Sequence, residues 1–294
     1  MNYSVIQLLS ICLQGNCYLS QSRHFKDCDT TIEEWNQIQF SDVKEKRSGY
    51  ERQNICTSVH KWFEYLYKAN VKQISVCYTK DNETDSFVRE TSGFIGGGGR
   101  WMLQTSTNER SDLWEADWTV KSNGSEDQDI WDITYLRIAK DFIPPNIDLP
   151  SLYRCKINLK SILPRISKFA HTNNLSNFGD IFDKSLAHLD YDTDLPINDY
   201  IKLPLDLISN ERKTLLYCSF QAWVFGGMGS WNDHSFVSND LQNEYIKLSN
   251  ELFDELHLAI LSAIKGINYI QLDSKQEVAL TDNKTKSKWW QFWL

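Results

Sequence analysis

The sequence predicts an α+β protein in which an antiparallel sheet of four to five strands packs with N-terminal helices and a C-terminal helical layer. Apolar residues recur at helical spacing near the N-terminus and again beyond residue 150. Between residues 71 and 138 they instead fall in short runs separated by Gly, Asn, Ser and Asp clusters. Because successive strands with short links pair with their sequence neighbours, these runs favour an antiparallel sheet.

The composition is that of a folded protein. In 294 residues there are 11 Trp, 13 Tyr and 14 Phe, whose rings bury large areas and compensate for an apolar share of 41%. The net charge of -8 argues against a broad nucleic-acid surface. It suits a basic protein as partner, but mild acidity is also ordinary in soluble bacterial proteins, and that simpler interpretation is favoured. Seven cysteines without a CxxC pair predict reduced thiols and a cytoplasmic protein with no disulfide framework.

Three helices are predicted ahead of the sheet. Residues 5–13 have helical spacing, and no Lys or Arg precedes them as in a signal peptide, so we expect an amphipathic first helix. Residues 29–40, with glutamates in their first turn, predict a second, short helix. Residues 51–69 predict a third, which Asn70 ends.

Five strands follow, at residues 71–79, 87–95, 100–105, 113–120 and 130–138. Prolines at positions 144, 145 and 150 then mark an internal boundary, because consecutive prolines interrupt both helices and strands. We therefore expect residues 1–143 to form the helices and sheet, and residues 144–270 a mainly helical part packed on them. Residues 271–294 are expected to form a flexible tail.

The C-terminal part contains four predicted elements. Because Pro164 interrupts residues 152–170, we expect a strand or turn there, followed by a helix. Residues 177–189 predict a short helix and residues 210–225 a buried one. Residues 241–264 predict a long amphipathic helix.

A glycine run at residues 96–99 precedes Arg100 and Trp101. Its backbone N–H groups could hold a phosphate, but no Gly-Lys-Ser or Gly-Lys-Thr signature follows. A bulged turn between strands, which uses the conformational freedom of glycine, is the favoured interpretation.

Acidic side chains follow this turn on one face of the predicted sheet. Alternation places Glu115 and Asp117 on the face opposite Trp114, and the neighbouring strand can bring Asp132 beside them. With Arg100 they could serve acid–base chemistry, hold a divalent metal or bind a partner. Exposed faces of antiparallel sheets are ordinarily charged, so a solvated surface is favoured, and a partner-binding patch is the better functional interpretation.

Metal and hydrolase signatures are missing from the sequence. Asp190, Asp192 and Asp194 have calcium-loop spacing, but Leu195 replaces the required glycine and Ile201 the bidentate glutamate. There is no HExxH and no Gly-x-Ser-x-Gly. We therefore expect no metal and no cofactor, and enzymatic activity is left open with non-catalytic binding favoured.

The most distinctive segment is residues 223–233, which follow a predicted apolar helix. Its glycines predict a helix C-cap and a tight turn, and its polar side chains can bond the backbone. Two interpretations remain equal, an ordered recognition loop and a structural connection in which Trp231 fills the core. The candidate binding residues here are Gly226, Gly227, Gly229, Ser230, Trp231, Asn232 and Asp233.

The stretch Phe-Gly-Gly-Met-Gly-Ser-Trp-Asn-Asp at residues 225–233, with residues 96–101 and the last helix, resembles a family of largely uncharacterised bacterial proteins. The resemblance implies a shared fold and assigns no chemistry. In overall character the chain is also similar to acidic immunity proteins that neutralise secreted bacterial toxins.

These observations predict a non-catalytic binding protein, with toxin neutralisation as the concrete hypothesis. The alternative is an enzyme or small-ligand binder with its site between the Arg100–Trp101 turn and residues 226–233. Three aromatic residues of the tail, Trp289, Trp290 and Trp293, follow lysines and could contact a membrane surface, the protein's own body or a partner.

Overall fold

A computed structural model describes residues 3–20, 37–46, 49–80, 84–93, 98–121, 130–143, 148–190 and 208–265. These residues form seven α-helices and one six-stranded sheet, which confirms the α+β class. The predictions for residues 29–36, for Gly96 and Gly97, for residues 191–201 and for the aromatic tail lie outside the described ranges.

The sheet contains β1 (Gln37–Lys46), β2 (Gly49–Cys56), β3 (Gln73–Thr79), β4 (Arg100–Ser106), β5 (Ser111–Lys121) and β6 (Ile130–Phe142). Its order is β2-β1-β6-β5-β4-β3. All neighbouring pairs are antiparallel except β1 and β6, which are parallel. The predicted four- to five-stranded antiparallel sheet is therefore wrong in strand number and in being purely antiparallel.

Strands β1 and β2 replace parts of two predicted helices. Ile38 and Phe40 lie opposite Ile133 and Tyr135 of β6, and all four side chains are buried on one face of the sheet. Phe40 stacks on Tyr135 with ring centroids 5.2 Å apart. This pairing joins segments separated by about ninety residues, and such a contact leaves no local periodicity to detect.

Helices α1 (Tyr3–Leu19) and α2 (Val59–Lys68) pack near the buried face of the sheet. Phe40 of β1 stacks on Trp62 of α2 at 4.1 Å. Ser58 begins α2 by accepting a hydrogen bond from the Lys61 N–H. The predicted third helix therefore exists, but it begins after β2.

Helix α1 is not amphipathic as predicted, because every residue from 4 to 16 is buried. Two of its polar side chains bond the sheet. Gln7 accepts from the Tyr135 hydroxyl at 2.9 Å. Asn16 bonds both the N–H and the C=O of Ile74 on β3, at 2.7 and 2.6 Å. These bonds attach α1 to the sheet. Both polar atoms of the Asn16 side chain are paired.

The predicted strand at residues 87–95 is wrong where it is described, because residues 85–91 form the short helix α3 (Asp85–Thr91). Thr84 caps it by accepting from the Phe87 N–H. Seven residues make two turns, too few to show a helical period in the sequence.

Four helices complete the fold, α4 (Leu152–Thr172), α5 (Ser176–Asp190), α6 (Asn210–Gln221) and α7 (Asn239–Ile264). The helices predicted at 177–189 and 241–264 are confirmed, and α6 ends four residues before the predicted bound. The expected strand or turn near residue 152 is wrong. Helix α4 runs through Pro164, whose side chain is exposed, so water can reach the backbone carbonyl that loses its helical partner.

One core joins the two layers. Helix α7 contacts β3, α3, α4 and α6, and α5 packs on α4 and α6. A single cluster of buried apolar side chains contains residues from both 1–143 and 144–270. Within the described ranges, no helix has the length and apolar character needed to cross a membrane.

Candidate functional site

The segment between α6 and α7 contains a loop at residues 226–233, here called the Met228 loop. Trp231 lies at its base and is fully buried against Phe178, Phe182 and Tyr245, with ring centroids 5.3 to 5.5 Å apart. Its indole N–H donates to Ser249 Oγ at 2.7 Å, and its carbonyl accepts from the Tyr245 hydroxyl at 2.6 Å. Trp231 therefore fills the core, as one of the two interpretations requires.

The tip of the same loop points into solvent. The Met228 side chain is 101% exposed. Ser230 Oγ donates to the Gly226 carbonyl at 2.9 Å, and the Asp233 carboxylate accepts from the Gly229 N–H, so short bonds close the turn. The loop thus has a buried base at Trp231 and an exposed tip at Met228, and the recognition-loop interpretation stays a prediction.

The glycines of the loop have different reasons to be glycine. Gly229 has φ +82°, a conformation that L side chains rarely adopt. Gly227 does not lie in that region and has no atom within 4 Å of an added Cβ. The backbone conformation therefore favours glycine at Gly229 and not at Gly227.

Helix α3 and Gly93, which follows it, contact the Met228 loop. The Asn232 side-chain amide donates to the Arg89 carbonyl at 2.7 Å. A Cβ added to Gly93 would lie 2.2 Å from the Gly226 Cα, so the two backbones touch. The Met228 loop is therefore supported by contacts with α3 and with α7.

A buried contact between Arg89 and Tyr245 links α3 to α7. The Arg89 side chain is buried and contacts Tyr245. Burial raises the pKa of Tyr245 to about 12, although the Arg89 guanidinium acts in the opposite direction. The Tyr245 hydroxyl stays protonated at neutral pH and can donate to the Trp231 carbonyl.

The predicted acidic cluster is present on the face of the sheet opposite the core. Arg100 donates two hydrogen bonds to Glu115, at 2.8 and 2.6 Å, and Asp117 pairs with Arg52 at 2.7 Å. Asp132 lies opposite Thr119 in the β5–β6 ladder, on the same face. Because Glu115 and Asp117 each face a guanidinium, they are placed as ion pairs, which neither general-base chemistry nor metal binding requires.

A small cavity of about 50 Å³ lies beside the Arg100–Glu115 pair. It is lined by Ser4, Leu8, Gly99, Arg100, Trp101, Glu115, Ala116 and Trp118. This space holds a few water molecules, whereas ligand sites are typically several hundred cubic ångströms. Its lining contains neither Asp117 nor any residue of the Met228 loop.

The end of the glycine run forms a turn. Gly98 and Gly99 have φ values of +80° and +87°. The Gly98 N–H donates to Thr91 Oγ1 at 3.2 Å, so this amide is already used within the chain. The φ values fit a turn, but helix α3 stands where the strand before it was predicted, so a turn between two strands is wrong for the described residues.

Sequence reasoning missed a buried histidine, His257, at the junction of the two layers. Its ring contacts those of Tyr78, Trp101, Trp223 and Phe253 at centroid distances of 4.2 to 5.2 Å. Burial lowers its pKa to about 3, so the ring is neutral, with Nδ1 donating to the Phe253 carbonyl at 2.7 Å. The sequence signal was its position on the apolar face of α7.

A second missed group joins α4 and α5. His171, Asp180 and Asp183 place ligand-type atoms within 4.8 Å of one another, and all three are exposed. His171 Nε2 lies 3.0 Å from Asp183, which also accepts from Ser167 Oγ at 2.5 Å. These bonds account for the group as a contact between two helices.

No protein-family model, curated protein or solved structure matches this chain. The resemblance drawn from residues 225–233 therefore stays a prediction.

Proposed function

We propose that the chain is a non-catalytic binding protein that recognises another protein through the Met228 loop. The observation that carries this proposal is a fully exposed apolar side chain, Met228, on a loop whose base is locked in the core by Trp231. A loop already held in one conformation loses little entropy on binding. Methionine is also a flexible apolar side chain that adapts to a partner's surface.

The partner class follows from the sequence. We propose a basic bacterial toxin as ligand, which would make the chain an immunity protein. The net charge of -8 supports a basic partner, since complementary charge speeds protein association. The pairing of Glu115 with Arg100 and of Asp117 with Arg52 weighs against a catalytic site on the sheet.

The test is association with the protein product of each flanking reading frame, by co-expression, purification and isothermal titration calorimetry. Met228→Gln keeps the length of the side chain and removes its apolar character. We expect it to weaken binding at least about tenfold, as at an interface anchor. Tyr153→Gln, at an exposed aromatic residue on α4, is the matched control and should change the Kd less than about twofold.

Thermal unfolding of both variants should match that of the natural chain, because neither side chain is buried. Absence of association with every flanking product, or equal Kd values for the two variants, would overturn the proposal.

A further inference from the structure

Exposed apolar and acidic side chains occur together around the Met228 loop. Phe87 of α3 is 48% exposed, and Met228 and Val237 are fully exposed. Glu90, Asp233 and Asp240 are exposed on the same segments. These six residues, Phe87, Glu90, Met228, Asp233, Val237 and Asp240, are here called the Met228 face.

The segments that carry the Met228 face contact one another directly. Asn232 of the loop bonds the Arg89 carbonyl of α3. Trp231 of the loop bonds Ser249 and Tyr245 of α7. Gly93, just after α3, touches the backbone of Gly226. The segments that carry the six residues therefore contact one another and are not independent loops.

The charge of this region has one sign. In residues 86–93 and 226–240 the exposed charged side chains are Glu90, Asp233 and Asp240, all acidic. Arg89, in the same stretch, is buried beneath the loop. Exposed apolar side chains accompanied by acidic ones complement a segment that carries apolar and cationic side chains.

We propose that the Met228 face binds a cationic amphipathic segment of its protein partner. This inference rests on the proposed function and specifies the chemistry of the ligand. Met228 and Phe87 contact the apolar side of that segment, and Glu90, Asp233 and Asp240 face its lysines or arginines. The Gly229 N–H holds the Asp233 carboxylate, so this charge is oriented before binding.

The probe is a fluorescein-labelled helical peptide of Lys and Leu with one apolar and one cationic face. The matched probe replaces every Lys with Glu. Fluorescence anisotropy should show binding of the Lys/Leu peptide, weakened by added salt, and no binding of the Glu/Leu peptide. Failure of the Lys/Leu peptide to bind, or equal binding of the two peptides, would overturn the inference.

The double variant Glu90→Gln/Asp233→Asn removes two charges and leaves an amide oxygen to accept from Gly229. We expect its Kd for the Lys/Leu peptide to rise about threefold or more. The control Glu109→Gln/Asp148→Asn removes two exposed charges elsewhere, in the β4–β5 turn and ahead of α4. It should change the Kd less than about twofold, and equal shifts in the two double variants would mean attraction by net charge alone and overturn the inference.

Met228→Gln separates this inference from the proposed function. If it abolishes binding of the natural partner while the charge variants behave like their control, the proposed function stands and the cationic ligand is wrong. If none of these variants affects the natural partner, both fail.

Discussion

At the scale of single residues, Gly93 determines where the Met228 loop lies. A methyl group at this position would be 2.2 Å from the Gly226 Cα and 2.3 Å from the Gly227 nitrogen, which are backbone atoms. A flexible side chain could move aside, but a hydrogen-bonded loop has to shift as a whole. The position of Gly226 is therefore determined by Gly93, which lies more than a hundred residues earlier in the chain.

Gly93→Ala should consequently destabilise the protein by about 1–3 kcal/mol, the usual cost of overpacking, and weaken partner binding. Gly227→Ala is the control, because an added Cβ there meets no atom within 4 Å. Its effect should stay within about 0.5 kcal/mol. Urea unfolding of both variants tests this, and equal stabilities would contradict the close approach seen at Gly93.

His257 makes stability depend on pH. Its pKa is lowered by burial from 6.5 to about 3 in the folded state, so between these values the unfolded chain binds a proton that the folded chain does not. Stability therefore falls as the pH falls below 6.5, with a slope approaching about 1.4 kcal/mol per pH unit from this group.

We expect His257→Phe to flatten the unfolding free energy between pH 6.5 and 4, because an aromatic ring is kept and the titrating group removed. His60→Gln, which removes an exposed histidine on α2, is the control variant. Identical pH profiles for the natural chain and His257→Phe would show that His257 is not buried as described.

At the scale of elements, the sequence predicts those helices and strands that bury one regular face. Strand β5 alternates between the core and the opposite face, and the first part of helix α7 repeats its buried positions at Tyr245, Leu248 and Leu252, although residues 259–264 are all buried. Helix α1 is buried on all sides, and β1 depends on β6, far along the chain. Their structures are decided by partners that no local pattern reveals.

The three central strands are joined by Arg137 of β6. Its side chain is 6% exposed and pairs with Asp42 of β1 and Asp112 of β5, with the guanidinium 5.1 Å from the Trp114 ring. Burial alone would lower the pKa of Arg137, but the hydrogen bonds to Asp42 and Asp112 outweigh it and raise the pKa. Arg137 therefore stays positively charged, and the carboxylates of Asp42 and Asp112 neutralise its charge.

Arg137→Met should cost about 3–5 kcal/mol, because it leaves two partly buried carboxylates without their cation. Adding Asp42→Asn and Asp112→Asn should recover part of that loss. Chemical denaturation measures both, and a loss below about 1 kcal/mol in the single variant would contradict a stabilising role for this network.

At the scale of the whole molecule, the described cysteines are free thiols. Burial raises the pKa of Cys12, Cys77 and Cys218 to about 12, which keeps them protonated and unreactive at neutral pH. The fold is held by its core and by internal hydrogen bonds.

We therefore expect the same cooperative thermal transition and the same monodisperse elution with and without dithiothreitol and EDTA. Loss of the transition with dithiothreitol would indicate a disulfide, and loss with EDTA a structural metal. Either result would contradict this account of stability.

The candidate site was predictable in part. The sequence indicated that residues 226–233 form a tight, ordered loop, because glycines and short polar residues follow an apolar helix. The sequence left open whether this segment is a recognition loop or a structural connection filled by Trp231. The burial of Trp231 depends on contacts with α5 and α7, which no local pattern reveals. It also named Arg100, Asp117 and Asp233 as possible members of one site, whereas the cavity at Arg100 includes neither aspartate.

The central claim is that the Met228 loop, and not the charged face of the sheet, contacts the partner. Hydrogen–deuterium exchange of the free chain and of its complex with a co-purified partner tests this most directly. We predict slower exchange on binding at the backbone amides of residues 86–93 and 226–233, with no change in β5. Protection centred on Glu115 and Asp117, with the Met228 loop unaffected, would contradict the account.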